Sequence, residues 1–315
     1  MLSDKLILKW DFLSESEWNI HLLRAGKSSL VQSWAFGEAK KYTENWNVKR
    51  CVIYKNSDVL AIFQILTKKM LSFNVSRLNR GPLWVKQDLD IDEVTEVFRL
   101  IRKEFAIWKF KFLFFAPNLI STDVNLKLLN SSGFRNWKRN KWHSGWIDLS
   151  LSDDELRKKL NSKWRNQLNV ASRTLNFRVS FSMHDFNFLM DKYQQLMLSK
   201  EFKGVSIRLI RTLYQMDVNN SIIFNFVAYI DEETIASILV ARHGNACTYL
   251  VGWNGDEGRK FHANNLLLWQ AVLVMKNSGC LWFDIGGLDE VNTPGITKFK
   301  RGMNIEEYIL VGEFI

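Results

Sequence analysis

Residues 249–287 read YLVGWNGDEGRKFHANNLLLWQAVLVMKNSGCLWFDIGG, and this stretch decides the fold. The short apolar run Tyr249–Trp253 predicts a strand, which Gly255, Asp256 and Gly258 break. Ala263 to Met275 is apolar on every face, the pattern of a helix buried on most of its surface. Gly279 stops that helix, and Leu281–Ile285 forms a second strand ending in Gly286-Gly287. Strand, loop, helix and strand make a βαβ unit, whose two strands are expected to run parallel. The loop ends at a helix N-terminus, where free amides favour an anionic or carbonyl oxygen, so a ligand is expected there.

The same order recurs in the first half, between about residues 77 and 116. Arg77–Val85 reads as a strand carrying Gly81-Pro82, Ile91–Trp108 has helical periodicity, and Phe110–Phe115 is an apolar strand. Upstream, residues 5–10 alternate as a strand would. Gln32–Asn47 reads as a helix with Trp34, Ala39 and Tyr42 facing inward, and Lys49–Tyr54 and Val59–Thr67 read as paired strands. The organisation is repeated although the residues are not. Two similar α/β domains with mixed sheets are expected, residues 1–147 and 148–315, joined near Ser144–Asp153 without a flexible linker. Ser152–Leu175 follows the junction as one amphipathic basic helix, opened by a Ser152/Glu155 capping box.

The 315 residues are 47% hydrophobic and 13% aromatic, which excludes a disordered chain. No apolar run reaches the roughly 18 residues of a membrane helix. The N-terminal segment lacks the apolar core of a signal peptide, so a cytoplasmic location is expected. Cys51, Cys247 and Cys280 lie in apolar contexts and read as reduced core thiols. His21, His143, His184, His243 and His262 match no metal-ligand spacing, so no metal site is expected. The glycines of residues 252–258 make neither a P-loop nor a dinucleotide fingerprint. A net charge of +10 points to an anionic partner such as nucleic acid, nucleotide phosphates or the inner face of a membrane.

Four separated stretches resemble the Fem family (FemABX) of non-ribosomal peptidyltransferases. They are QSWAFGEAKKYTENW (32–46), RLNRGPLW (77–84), LRKKLNSKWRNQLNVA (156–171), and FDIGGL followed by GITKFKRG (283–302). The last carries the family's closing FK-containing motif in Gly295, Phe299, Lys300 and Gly302. The resemblance implies two tandem GNAT-like acyltransferase domains, and no heptad segment for the family's coiled-coil arm is present. It also implies aminoacyl transfer from a charged tRNA to an amine of a UDP- or lipid-linked muramyl peptide, with no cofactor.

By the same resemblance Lys41 and Arg165 bind the precursor's phosphates. A compact ammonium and a bidentate guanidinium suit that role. Lys300 is expected to stabilise the oxyanion of acyl transfer, with Phe299 beside it, and Arg301 is its neighbour and rival. In a strand the two cations would point to opposite faces. Tyr249 is expected to contact substrate or pack in the core. Asp284 ends a strand as a candidate catalytic carboxylate, or as a partner to a loop. His262, Asn264 and Asn265 open a helix as cap or ligand contact, and Asn79 and Arg80 precede Gly81-Pro82 as further binding candidates. Two alternatives remain. The donor could be an acyl-coenzyme A, although GWNGDEGRKFHAN lacks the usual pyrophosphate-loop spacing. The basic helix could instead serve a non-catalytic RNA- or membrane-binding module.

Overall fold

The computed structural model describes residues 6–106, 111–138 and 141–315. Lys5, Trp108 and Phe110, which bounded expected elements, lie outside the described residues. The chain forms two units, Met1–His143 with Tyr308–Ile315, and Ser144–Glu307.

The first unit opens with β1 (Leu6–Trp10), α1 (Glu15–Arg24) and α2 (Trp34–Glu44). Then come β2 (Asn47–Lys55), β3 (Asp58–Met70), β4 (Phe73–Asn79) and β5 (Leu83–Trp84). It continues with α3 (Ile91–Glu104), β6 (Lys111–Ala116), α4 (Asp123–Ser131) and β7 (Asn136–Lys138). Ser14 and Asp90 close capping boxes with Glu17 and Glu93, satisfying the first amides of α1 and α3. With the chain-terminal strand β15 (Glu313–Phe314), the sheet order is β1-β2-β3-β4-β6-β15-β7, with β5 on β3. β4 and β6 run parallel, as the crossover through α3 requires. Phe63, Phe98, Phe115 and Phe134 are fully buried in this unit's core.

The second unit contains β8 (His143–Asp148), α5 (Asp153–Lys159), α6 (Ser162–Thr174), β9 (Asn176–Ser180) and α7 (Met183–Ser199). Next are α8 (Ile207–Met216), β10 (Ile223–Ile230), β11 (Glu233–His243), β12 (Ala246–Asn254) and α9 (Asp256–Lys260). It ends with α10 (Ala263–Asn277), β13 (Trp282–Asp284), α11 (Pro294–Arg301) and β14 (Glu306–Ile309). Its sheet runs β14-β8-β13-β12-β11-β10-β9, and β12 and β13 are parallel. α10 supplies Leu266, Leu267, Trp269 and Val272 to the core from all round its circumference. The longest helix among the described residues is α7, with 17 residues, and none extends as a coiled-coil arm. No helix of the described residues is long and apolar enough to cross a membrane.

Several elements differ from the sequence reading. The basic helix is two helices, because Asn161 caps α6 with its side chain on the Lys163 amide and Leu160 leaves the helical conformation. The strand expected over Arg77–Val85 is broken between β4 and β5, where Arg80 has φ +59°. Tyr42 is exposed, whereas Ala39 is buried as expected. The sequence division gave Tyr308–Ile315 to the second domain. In the structure β15 (Glu313–Phe314) pairs between β6 and β7 of the first sheet, a long-range pairing that no local pattern announces. The three cysteines are free and buried.

Candidate active site

β12 and β13 pair only from Ala246↔Trp282 to Thr248↔Asp284. On its other side β12 slips register against β11, with Leu239 opposite Val251 and Val240 opposite Tyr249, so a bulge falls at Leu250. β13 thus ends at Asp284 while β12 runs on to Asn254, so the sheet opens between Tyr249 of β12 and the turn that follows β13. Gly286 adopts φ +75°, and a Cβ there would sit 2.7 Å from the Tyr249 carbonyl oxygen, so this close approach requires glycine.

Asp284 is buried and its Oδ1 accepts from the Gly286 amide at 2.8 Å. The buried Ser144 hydroxyl lies 2.5 Å from the same oxygen and 2.8 Å from the Gly286 carbonyl oxygen. Asp284 and Ser144 therefore brace the Gly286-Gly287 turn from both sides. That geometry gives Asp284 a positioning role toward the turn. Ser144 was missed in the sequence, where it belonged only to a domain junction.

Lys300 enters from α11, whose inward face is Thr297 and Lys300, one turn apart. Thr297 anchors the helix by exchanging hydrogen bonds with the Asp289 backbone at 2.9 and 3.0 Å. Lys300 is only 5% exposed. Its Nζ donates to the Gly287 carbonyl at 2.8 Å and stands 5.2 Å from the centroid of the Tyr249 ring. Burial pulls the ammonium down from the usual lysine range to about 8, and the Asp284 carboxylate opposes that fall. The nearby Tyr249 phenol is pushed up to about 12, chiefly by burial.

Lys300 and Arg301 lie on a helix and not on the expected strand, yet the two still diverge. Arg301 faces outward and donates to Glu307 at 2.6 and 2.9 Å and to Glu290. Those carboxylates raise its already high pKa, so it is committed to ion pairs.

Phe299 is half-buried against Trp164 of α6, with ring centroids 5.9 Å apart. At the start of α10 one of His262, Asn264 and Asn265 is expected to cap the helix, and none supplies a side-chain cap. His262 holds the N-cap position at φ +59° without a side-chain hydrogen bond. Asn265 reaches back toward the Trp164 carbonyl at 3.4 Å, and the buried Asn264 Oδ1 has no hydrogen-bond partner among the described residues. The loop expected to face a ligand contains α9, where Arg259 pairs with Asp256 and Lys260 with Glu257. Arg165 is half-buried on α6, its Nη1 3.4 Å from the Lys158 carbonyl oxygen.

In the first unit, Lys41 is 63% exposed on α2, with Glu38 at 3.8 Å. The Asn79 carbonyl accepts from Gln32 at 2.6 Å. The Arg80 guanidinium lies 4.7 Å from the Trp142 ring and lines a cavity of about 250 Å³ with Pro117 and Glu313. A cavity of about 180 Å³ in the second unit opens between Trp146, Leu156 and Trp269, and none of the expected site residues lines it. The structure thus brings together Lys300, Tyr249 and Asp284 within the second unit, and packs Phe299 against Trp164. His243, fully enclosed and hydrogen-bonded to Thr248 at 2.8 Å, is driven down to about 3 by burial, so it is neutral at pH 7. No group of three metal-ligating side chains occurs among the described residues.

Residues 155–301 match the acetyltransferase (GNAT) domain family model. No curated protein matches the chain. Among solved structures, FemX superposes with a TM-score of 0.82 at 15% identity, covering 97% of this chain and 96% of FemX. A tandem GNAT protein from the clavulanic acid biosynthesis pathway gives a TM-score of 0.51 at 12% identity, covering 98% of each chain. The C-terminal domain (DUF2156) of a protein described as a lysylphosphatidylglycerol synthetase from Agrobacterium fabrum gives 0.53 at 12% identity, covering 96% of this chain and 91% of that one. The chain therefore has a Fem-like fold of the GNAT type.

Proposed function

We propose that the chain is an aminoacyltransferase, with its reaction centre where β13 ends beside Tyr249 of β12. The observation that carries this reading is the Lys300 ammonium. It is buried, it makes one hydrogen bond to the chain, and its other two N–H groups have no acceptor among the described residues. A fixed, desolvated cation of this kind suits an oxygen that gains charge in a transition state.

In the proposed reaction an acceptor amine attacks the carbonyl carbon of an aminoacyl-tRNA ester. A C–N bond forms, the C–O bond to the ribose breaks, and the proton lost by the amine ends on the ribose hydroxyl. Lys300 stabilises the tetrahedral oxyanion. Asp284 and Ser144 hold the Gly286-Gly287 turn that orients it. Tyr249 walls the ammonium, and the unpaired Asn264 Oδ1 is a candidate contact for the donor's amino group. Lys41 and Arg165 are proposed to bind phosphates of a UDP- or lipid-linked muramyl peptide, and Arg80 and Asn79 to contact the acceptor.

The likeness to FemX along nearly the whole chain supports the aminoacyl donor. So does α9, whose acidic first turn and self-paired charges offer poor company for a pyrophosphate. Acyl transfer from coenzyme A is the second reading, favoured by the acetyltransferase match over residues 155–301. A donor competition separates them. Purified protein with UDP-linked muramyl pentapeptide is given mixed aminoacyl-tRNAs or acetyl-coenzyme A, and the acceptor is weighed. A gain of one amino-acid residue with tRNA alone is expected. An acetyl gain with coenzyme A alone would reject the tRNA donor.

A further inference from the structure

The β3–β4 hairpin ends in an apolar tip that the fold leaves uncovered. Met70 pairs with Phe73 as the last rung, and Leu71-Ser72 makes the turn. Leu71 is 93% exposed, Met70 58% and Phe73 39%. Phe73 is steadied edge-on by Phe112 of β6, with centroids 5.2 Å apart. Leu71 also adopts φ +55°, a conformation that a two-residue hairpin turn ordinarily gives to glycine or asparagine. A leucine here is unfavourable in the backbone and unburied in the side chain, so the unit itself gains nothing from it.

Past Asp58, the charge on the hairpin itself is of one sign. No Asp or Glu occurs between Asp58 and Asp88, and Lys68 and Lys69 precede the tip directly; Arg77, farther along β4, is paired with Glu313, and Lys68 donates to the Glu44 carbonyl at 3.1 Å. Lys69 is exposed and has no carboxylate partner among the described residues. Apolar side chains at a projecting tip with lysines at its base match an anionic lipid surface. The side chains enter the interface and the ammonium groups meet the headgroup phosphates.

We propose that the Met70–Phe73 tip is a docking element for an anionic lipid bilayer. The inference stands on the hairpin alone and holds whatever the second unit catalyses. Its extension, that the acceptor is the lipid-linked form, rests on the transferase reading above.

The test is co-sedimentation of the full chain with vesicles, without substrate, so failure here leaves the transferase reading standing. Vesicles of equal parts phosphatidylglycerol and phosphatidylcholine should bind the protein, and pure phosphatidylcholine should not. Added salt should weaken binding. Leu71→Gly relieves the backbone and removes the apolar anchor, so it should keep the fold and lower vesicle affinity about ten-fold. Lys69→Glu should also weaken binding. The proposal is overturned if anionic vesicles fail to bind, or if binding is indifferent to both substitutions. It is equally overturned if light scattering shows a dimer that Leu71→Gly dissolves, since a second copy would then cover the tip.

Discussion

The Lys300 ammonium and the Gly287 carbonyl oxygen lie 2.8 Å apart, and this is the single hydrogen bond that the buried cation makes to the chain among the described residues. One bond for three protons leaves a desolvated charge underpaired. That is costly to stability and useful in catalysis, because the missing partners can be supplied by an oxyanion.

The first consequence concerns pH. With Lys300 titrating at about 8, a cationic role predicts that turnover falls as pH rises through 8. If the neutral amine acted as base, turnover would rise through the same range. The pH profile of kcat at saturating acceptor, corrected for the donor ester's own hydrolysis, separates the two.

Asp284→Asn keeps the oxygen that accepts from Gly286 and Ser144 and removes the charge that supports the ammonium. The descending limb should move to lower pH by up to about one unit, with the fold intact. An unmoved limb would show that Asp284 does not act through Lys300.

Ser144→Ala removes a buried donor from Asp284 and should cost about 1–3 kcal/mol. Gly286→Ala meets the Tyr249 carbonyl at 2.7 Å in a left-handed conformation and should cost at least as much, with turnover falling in both. Chemical denaturation read beside kcat checks whether the turn must be rigid.

Arg165→Ala and Lys41→Ala test the proposed phosphate contacts. Each should raise the KM for a diphosphate-linked acceptor about ten-fold while leaving kcat nearly unchanged. If KM holds steady in both variants, the acceptor's phosphates are bound elsewhere. Arg301→Ala should leave turnover near wild type, since Arg301 faces Glu290 and Glu307.

Much of this architecture can be read in the chain. The strand–helix–strand order around Ala263–Met275 and Ile91–Glu104 gives both parallel β-strand pairs, and Ser152 and Glu155 do form the expected capping box. What escaped has identifiable causes. α11 buries Thr297 and Lys300, so hydrophobic periodicity has nothing to detect there. The break at Leu160-Asn161 interrupts an apolar spacing that continues unbroken across it. Ser144 gains its place only when β8 lies beside β13, and β15 only when the chain end returns to β6. The burial of Lys300 is likewise a tertiary fact, since composition assigns lysine to the surface.

The most direct measurement is single-turnover aminoacyl transfer by wild type and Lys300→Met at pH 7, with thermal unfolding recorded on the same samples. The folded-state pKa of Lys300 lies below its ordinary value of 10.5. The unfolded chain therefore holds the proton more tightly, and stability rises as pH climbs from about 8 to 10.5. Below pH 8 the native state carries the full cost of the buried charge, about 3 kcal/mol. Lys300→Met removes that cost, so its Tm at pH 7 should equal or exceed wild type while the transfer rate falls about 10²–10³-fold. A rate unchanged within a factor of about two, in a variant equally folded, would contradict the account.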